Sequence, residues 1–264
     1  MIKIRSCRKE KGAMQYIRFS YEDRICFGQL QGEAIALLDR SYLEAGCQKT
    51  GQILQADQVR LLAPVEPTKI VCIGLNYAKH IEELGHDFHD DPVIFLKPVT
   101  SLVGPEDEII LPAMSQQVDY EAELVVVIGK TAKDLAEDQA EDYIFGFTCG
   151  NDVTARDLQK KDGQWTRSKG FDTFCPIGPW IVRDLDYRNV KIRSVLNGEV
   201  KQSSQTSHLI HSVPKLVSYI SKIMTLNPGD LIMTGTPEGV GPMKTGDAIA
   251  IDIKGIGRLH NLVR

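Results

Sequence analysis

Residues 118–129, VDYEAELVVVIG, constrain the fold more than any other stretch of this chain. The run Leu-Val-Val-Val-Ile, stopped by Gly129, reads as a strand from its β-branched side chains and its turn punctuation. Residues two apart in a strand project from one face, which puts Glu121 and Glu123 together. Two acids leading into an apolar run are costly to bury unless something neutralises them, and a divalent cation would do so. Asp152, in GNDVTARD, stands just past another strand-like run, YIFGFTCG, where the chain is expected to turn. Three carboxylates with no neighbouring cysteine and no H-x-x-x-H make a hard oxygen set, suited to Mg2+ or Mn2+ rather than zinc. Spacing alone leaves two points open. Glu121 and Glu123 could line the solvent face of an edge strand while Asp152 caps the next helix. Asp119 alternates in step with both, so the sequence does not choose which pair shares a site.

Around this segment the chain reads as mixed α+β and mainly β. Short apolar runs bounded by Gly, Pro or Asp recur: IVCIG, VIFLK, DLIMTG and AIAIDI. Asn197-Gly198, between SVL and EVK, signals a two-residue hairpin turn. Helices are expected at TARDLQKK and at VPKLVSYISKIM, whose proline falls in the first turn. Residues 1–13 are polar without a period and read as a disordered extension. MQYIRFSY, RICFGQL and EAIALL suggest a small β-rich N-terminal domain over 14–65. LLAPVEPTKI reads as a linker into a larger domain over 66–264.

The bulk properties exclude several classes. The 264 residues suffice for a sizeable core, and 42% hydrophobic with 25% charged residues argues against disorder. A net charge of −4 without long basic runs speaks against nucleic acid as a partner. No apolar run reaches the roughly 20 residues of a membrane helix, and no secretory signal opens the chain. Six scattered cysteines with no C-x-x-C pair suit buried thiols in the cytoplasm. No dinucleotide or P-loop glycine motif is present.

From Lys69 onward, KIVCIGLNYAKHIEELG, PVIFLKP, YEAELVVVIG, GNDVTARDLQ, WTRSKGFDTFCPIGP, LNGE and GDLIMTGTPEGVG follow one another. In content and order they resemble the fumarylacetoacetate hydrolase family, in particular its short acylpyruvate hydrolase and oxaloacetate decarboxylase members. The resemblance implies a β-sandwich roll, usually a homodimer, with Glu121, Glu123 and Asp152 as metal ligands and Asp119 left out. It also implies that Lys169, in WTRSKGF, faces the substrate's carboxylate or enolate oxygen. Alone, Lys169 would pass for a solvated lysine.

Gln159 lies seven residues after Asp152, two turns on if one helix carries both, and by resemblance orients the substrate. Arg156, one turn from Asp152 in the same register, is a further substrate-binding candidate, or a partner for a neighbouring acid. His80 and Glu83, at i and i+3 in NYAKHIEELG, form an H-x-x-E that the family places on a lid. A histidine oriented by a carboxylate is a good general base. Thr236, rather than Thr234, is the candidate of the TGTPEGVG loop for the substrate carboxylate. His86 and His89, in an acidic loop, are read as solvated and kept out of the site.

The chemistry expected is cleavage of a small 2-oxo acid through a metal-stabilised enolate: acylpyruvate C–C hydrolysis, oxaloacetate decarboxylation, or both. The alternative is an isomerase or decarboxylase of 2-hydroxyhepta-2,4-diene-1,7-dioate-type catabolites. A third reading, an idle metal- or ligand-binding module, sits poorly with Lys169, Gln159 and the H-x-x-E pair all being present.

Overall fold

The computed structural model describes residues 14–85 and 89–264. The expected extension over 1–13, and His86, lie outside the described residues. The apolar run of 118–129 does form the centre of the molecule. The strand Ala122–Ile128 is buried at every position. Its Leu124, Val126 and Ile128 join one apolar cluster with Ile192, Ile249 and Ile251, and Val125 and Val127 join another with Cys72, Ile177 and Met233. Both faces of the strand are therefore covered, which is why its sequence is continuously apolar rather than alternating.

Two sheets supply that cover. In the larger, Ala122–Ile128 pairs with Ile144–Asn151 on one side and Leu231–Met233 on the other. The sheet runs outward from Leu231–Met233 to Ile70–Gly74 and Val93–Lys97. In the other direction, Ile144–Asn151 leads to Cys175–Arg183. The second sheet is built from Glu199–Gln205, Lys191–Leu196, Ala248–Ile253, Gly257–Val263 and Glu108–Ile109. It packs on the first through strands such as Gly257–Val263 against Cys175–Arg183. The fold is the mainly β, mixed α+β sandwich roll. Asn197 and Gly198 sit at φ of 51° and 85° in the hairpin of the second sheet, as a two-residue turn of this type requires.

The N-terminal strands Met14–Tyr21, Arg24–Gln31, Ala34–Leu38 and Lys49–Gln55 extend the large sheet, with Tyr16 opposite Ile181. The stretch read as a linker is packed rather than free. Leu61, Ala63, Val65 and Ile70 are buried, and Arg60–Leu61 pairs with Met14–Tyr21. Its prolines suit an edge connection, and its apolar residues complete the core beneath it.

Among the described residues, four α-helices flank the sheets: α1 (Ala78–Leu84), α2 (Arg156–Asp162), α3 (Thr166–Lys169) and α4 (Val213–Ile223). The Ser212 hydroxyl caps α4 by accepting from the Lys215 amide. No described helix is long and apolar enough to cross a membrane.

Candidate active site

The acidic segment does not run as one unbroken strand. Val118–Tyr120 belongs to a small sheet with Thr154–Ala155 and Gly241–Pro242, and the pairing changes at Glu121. Here side chains replace strand partners. The Glu121 amide donates to Asn151 Oδ1 at 2.9 Å and the Ala122 amide to Gln202 Oε1 at 2.9 Å. The switch turns Glu121 and Glu123 toward Asp152, which follows the strand Ile144–Asn151. One oxygen from each of the three carboxylates lies within 4.8 Å of the others, and all three residues are buried.

Cations surround this set. Lys169 Nζ donates to Glu121 Oε2 at 2.8 Å and Asp152 Oδ2 at 2.7 Å. Lys97 Nζ donates to Asp152 Oδ1 at 2.6 Å and to the Val153 carbonyl at 3.0 Å. Each nitrogen of the Arg156 guanidinium has a partner: Nε donates to Asp119 Oδ2 at 2.9 Å, Nη2 to Glu121 Oε1 at 2.5 Å, and Nη1 to Gln159 Oε1 at 2.6 Å. Asp119 is thus held by Arg156.

Glu123 differs from its neighbours. Its carboxylate accepts from the Gly235 amide at 2.8 Å and has no ion-pair partner among the described residues. Burial, with the charges of Asp152 and Glu121 behind it, pushes its carboxyl well above the usual range. Burial acts in the same direction on Glu121, but Lys169 and then Arg156 outweigh it and hold that carboxyl low. Lys169 is itself raised, because Asp152 and Glu121 overcome the cost of its burial.

Counting Asp119, four buried carboxylates face three buried cations, Lys97, Lys169 and Arg156. The excess sits at Glu123. An all-oxygen donor set with one uncompensated buried carboxylate fits a hard divalent cation.

A small cavity opens beside the set. Glu121, Glu123, Asp152, Lys169, Arg156, Gln159, His80 and Thr236 all line it, with Ile73, Leu75, Phe95 and Trp165 as its apolar wall. All nine residues singled out for the site therefore fall close together. Eight touch the cavity, and Glu83 stands behind His80. The His80–Glu83 pair lies on α1, with Nδ1 at 3.1 Å from Glu83 Oε2. His80 is buried rather than solvated, and burial lowers its pKa, only partly opposed by Glu121 and Glu83. His89 is exposed.

One local expectation needs correcting. Asp152 precedes α2 by four residues and is not on it, because Thr154–Ala155 is drawn into the small sheet. Gln159 reaches the cavity from α2 alone, one turn after Arg156. Thr234 is structural, its hydroxyl donating to the Leu124 carbonyl at 2.9 Å.

A family model described as Fumarylacetoacetate (FAA) hydrolase C-terminal matches residues 69–264. The chain belongs to the fumarylacetoacetate hydrolase family. A second family model, Rv2993c-like, N-terminal, matches residues 14–64. Among solved structures, the chain is similar to 5-carboxymethyl-2-hydroxymuconate delta-isomerase from Mycobacterium smegmatis, at 45% identity and a TM-score of 0.89, covering 95% of this chain and 99% of that one. It is also similar to fumarylpyruvate hydrolase from Pseudomonas aeruginosa in complex with Mn2+ and pyruvate, at 37% identity and a TM-score of 0.71, over 78% and 91% of the two chains. The mitochondrial oxaloacetate tautomerase fahd2 of Xenopus laevis is 44% identical over 80% of this chain and 70% of its own.

Within this member of the fumarylacetoacetate hydrolase family, residue-by-residue reading missed Lys97 and Gln202. Lys97 ends an apolar strand, VIFLK, directly before a proline, where a lysine ordinarily turns to solvent. A charged residue closing a fully apolar run was the available signal. Gln202 lies in a strand of the other sheet and carries no local signal at all.

Proposed function

We propose that this chain cleaves a small 2-oxo acid by way of an enolate, using Mg2+ or Mn2+ held by Glu121, Glu123 and Asp152. The observation that carries the reading is the convergence on one cavity of three buried carboxylates, a buried ammonium and a carboxylate-oriented imidazole. A divalent cation bound there supplies a Lewis acid for the substrate's carboxylate and 2-oxo oxygens.

The chain's own side chains do the rest. Lys169 is a fixed positive charge beside the reacting carbons, and such a charge is worth most where negative charge develops in the transition state. Glu83 holds the Nδ1–H of His80, so Nε2 is the basic nitrogen, and its lowered pKa keeps it neutral near pH 7. With an acyl group on carbon 3, His80 takes a proton from water as that water attacks the distal carbonyl. The bond to carbon 3 breaks, giving the enolate of pyruvate and a carboxylic acid. With a carboxylate on carbon 3, carbon dioxide leaves and no water is needed. Thr236 and Gln159 contact the substrate. Because Arg156 is committed to Asp119, Glu121 and Gln159, we assign it to positioning these groups rather than to substrate itself.

A second reading has specific support. The isomerase and the oxaloacetate tautomerase, at 45% and 44% identity, resemble the chain more than the fumarylpyruvate hydrolase does at 37%. In that reading His80 moves a proton between atoms of the substrate and no carbon–carbon bond breaks.

We also assign residues 66–264 as the catalytic domain and 14–65 as the small N-terminal domain, in a cytoplasmic homodimer. Exposed Leu96, Val99, Ile110 and Met114 offer apolar surface for a second copy. The test is pyruvate release from acetylpyruvate and oxaloacetate in Mg2+, beside optical measurement of oxaloacetate keto–enol exchange. Pyruvate release supports the first reading. Exchange without release moves the second to first place, and neither activity removes the first reading and leaves the isomerase form of the second in its place.

A further inference from the structure

We propose that Gln202, which takes no part in the steps above, is a positioning residue that orients the Thr236 hydroxyl to donate its hydrogen bond to a substrate oxygen. The inference rests on the reading that a 2-oxo acid occupies the cavity. Gln202 lies in the strand Glu199–Gln205 and is wholly buried. Its Oε1 accepts from the Ala122 amide at 2.9 Å, and its Nε2 donates to the Pro237 carbonyl at 2.7 Å and to Thr236 Oγ1 at 2.8 Å.

Two of these partners fix the orientation of the side-chain amide. A backbone N–H can only donate and a backbone carbonyl can only accept, so exchanging oxygen and nitrogen would break both bonds. With Nε2 fixed as the donor, Thr236 Oγ1 must accept from it. The threonine's own proton then points elsewhere, and no acceptor among the described residues takes it. Thr236 lines the cavity beside Glu123 and Asp152.

A free hydroxyl turns its proton to suit any partner, whereas this one has a lone pair held by Gln202 and its proton turned away from that side chain. A donor there satisfies a carboxylate or carbonyl oxygen. Thr234 marks the contrast, since its proton is spent on the Leu124 carbonyl. Gln202 also reaches Ala122, between Glu121 and Glu123, so one side chain ties the substrate-facing loop to the acidic segment.

The experiment measures pyruvate binding by calorimetry to the Mn2+-loaded full chain, with Mn2+ binding measured separately. The variants are Gln202→Met, Thr236→Val, both together, and Thr236→Ser. Gln202→Met and Thr236→Val should each weaken pyruvate by about 5- to 100-fold, the range for losing one buried hydrogen bond. The double variant should be no weaker than the weaker single one, because both changes act on the one bond made by the Thr236 hydroxyl. Thr236→Ser should bind as wild type does. KM should rise more than kcat falls.

Unchanged pyruvate affinity in Gln202→Met, or losses that multiply in the double variant, would overturn the proposal. Should Gln202→Met fail to fold, Gln202→Glu keeps the acceptor for Ala122 and removes the donor, and the same loss is expected. Wild type that binds Mn2+ but not pyruvate would overturn the 2-oxo acid reading itself, an outcome distinct from failure of the Gln202 variants alone.

Discussion

Glu83 reaches from His80 to the neighbouring loop: its Oε2 lies 3.1 Å from His80 Nδ1, and its Oε1 accepts the Gly239 amide at 3.0 Å. One carboxylate therefore orients the imidazole and fastens α1 to the loop that carries Thr236. If His80 is the general base, its neutral form is the active one. Burial lowers its pKa below the ordinary value near 6.5, so kcat/KM for acylpyruvates should hold down to that pH and fall only below it. Glu83→Gln removes a charge that pulls the pKa up, so the acid limb should move lower still. Its rate should also drop, because the ring loses its anchor. A wild-type limb above pH 6.5 would contradict the assignment.

The two reaction types separate at His80. Hydrolysis needs an activated water and decarboxylation does not. His80→Ala should cut acylpyruvate cleavage by ~10²–10⁴-fold, the usual general-base contribution, and oxaloacetate decarboxylation far less. Lys169→Met should damage both, since both pass through an enolate. Equal losses on the two substrates for His80→Ala would make the histidine structural or substrate-binding. Initial rates of pyruvate release decide it.

Lys97 is buried and paired with Asp152 at 2.6 Å. Removing Lys97 leaves Asp152 with Lys169 alone and raises the excess of buried negative charge, a loss of up to about 3–5 kcal/mol. Lys97→Met should therefore lower the free energy of unfolding in urea by that order. Arg60→Ala, which breaks an exposed pair with Asp107, should cost under about 1 kcal/mol. Similar small losses for both would show that Lys97 is not needed to balance the acids.

Much of this site was legible in one sequence, and for identifiable reasons. Strand alternation put Glu121 and Glu123 on one face, and the run of motifs from Lys69 left Asp119 out of the set. The physical cause of that choice was not legible, because it depends on Arg156 meeting Asp119 across the Val118–Tyr120 and Thr154–Ala155 pairing. The same pairing moved the start of α2 past Asp152, so a helical face shared with Gln159 was the wrong geometry for residues that do line one cavity. Lys97 and Gln202 act through partners 55 and 80 positions away, beyond any local pattern. The burial of residues 61–70 was hidden in the same way, since two prolines in a short stretch resemble a linker until the sheet beneath them is known.

Gly235 adopts a φ of +102°, and a Cβ there would stand 2.7 Å from Asn76 Cβ. Its amide is the donor that Glu123 retains. Gly235→Ala is therefore strained on both counts. It should lower Tm and weaken divalent-cation binding together, read by differential scanning fluorimetry with and without Mn2+. An unchanged Mn2+-dependent rise in Tm would show that the amide does not position Glu123.

The central claim is that Glu121, Glu123 and Asp152 hold one divalent cation, and a Mn2+ titration followed by electron paramagnetic resonance tests it most directly. Wild type should bind one Mn2+ per chain. Glu123→Gln should lose at least about 100-fold in affinity, more than the 10- to 100-fold typical of residues that only support a ligand. In chelator, its Tm should stay level or rise, because the change removes a buried carboxylate that has no cation of its own. Equal Mn2+ affinity in wild type and Glu123→Gln would contradict the account.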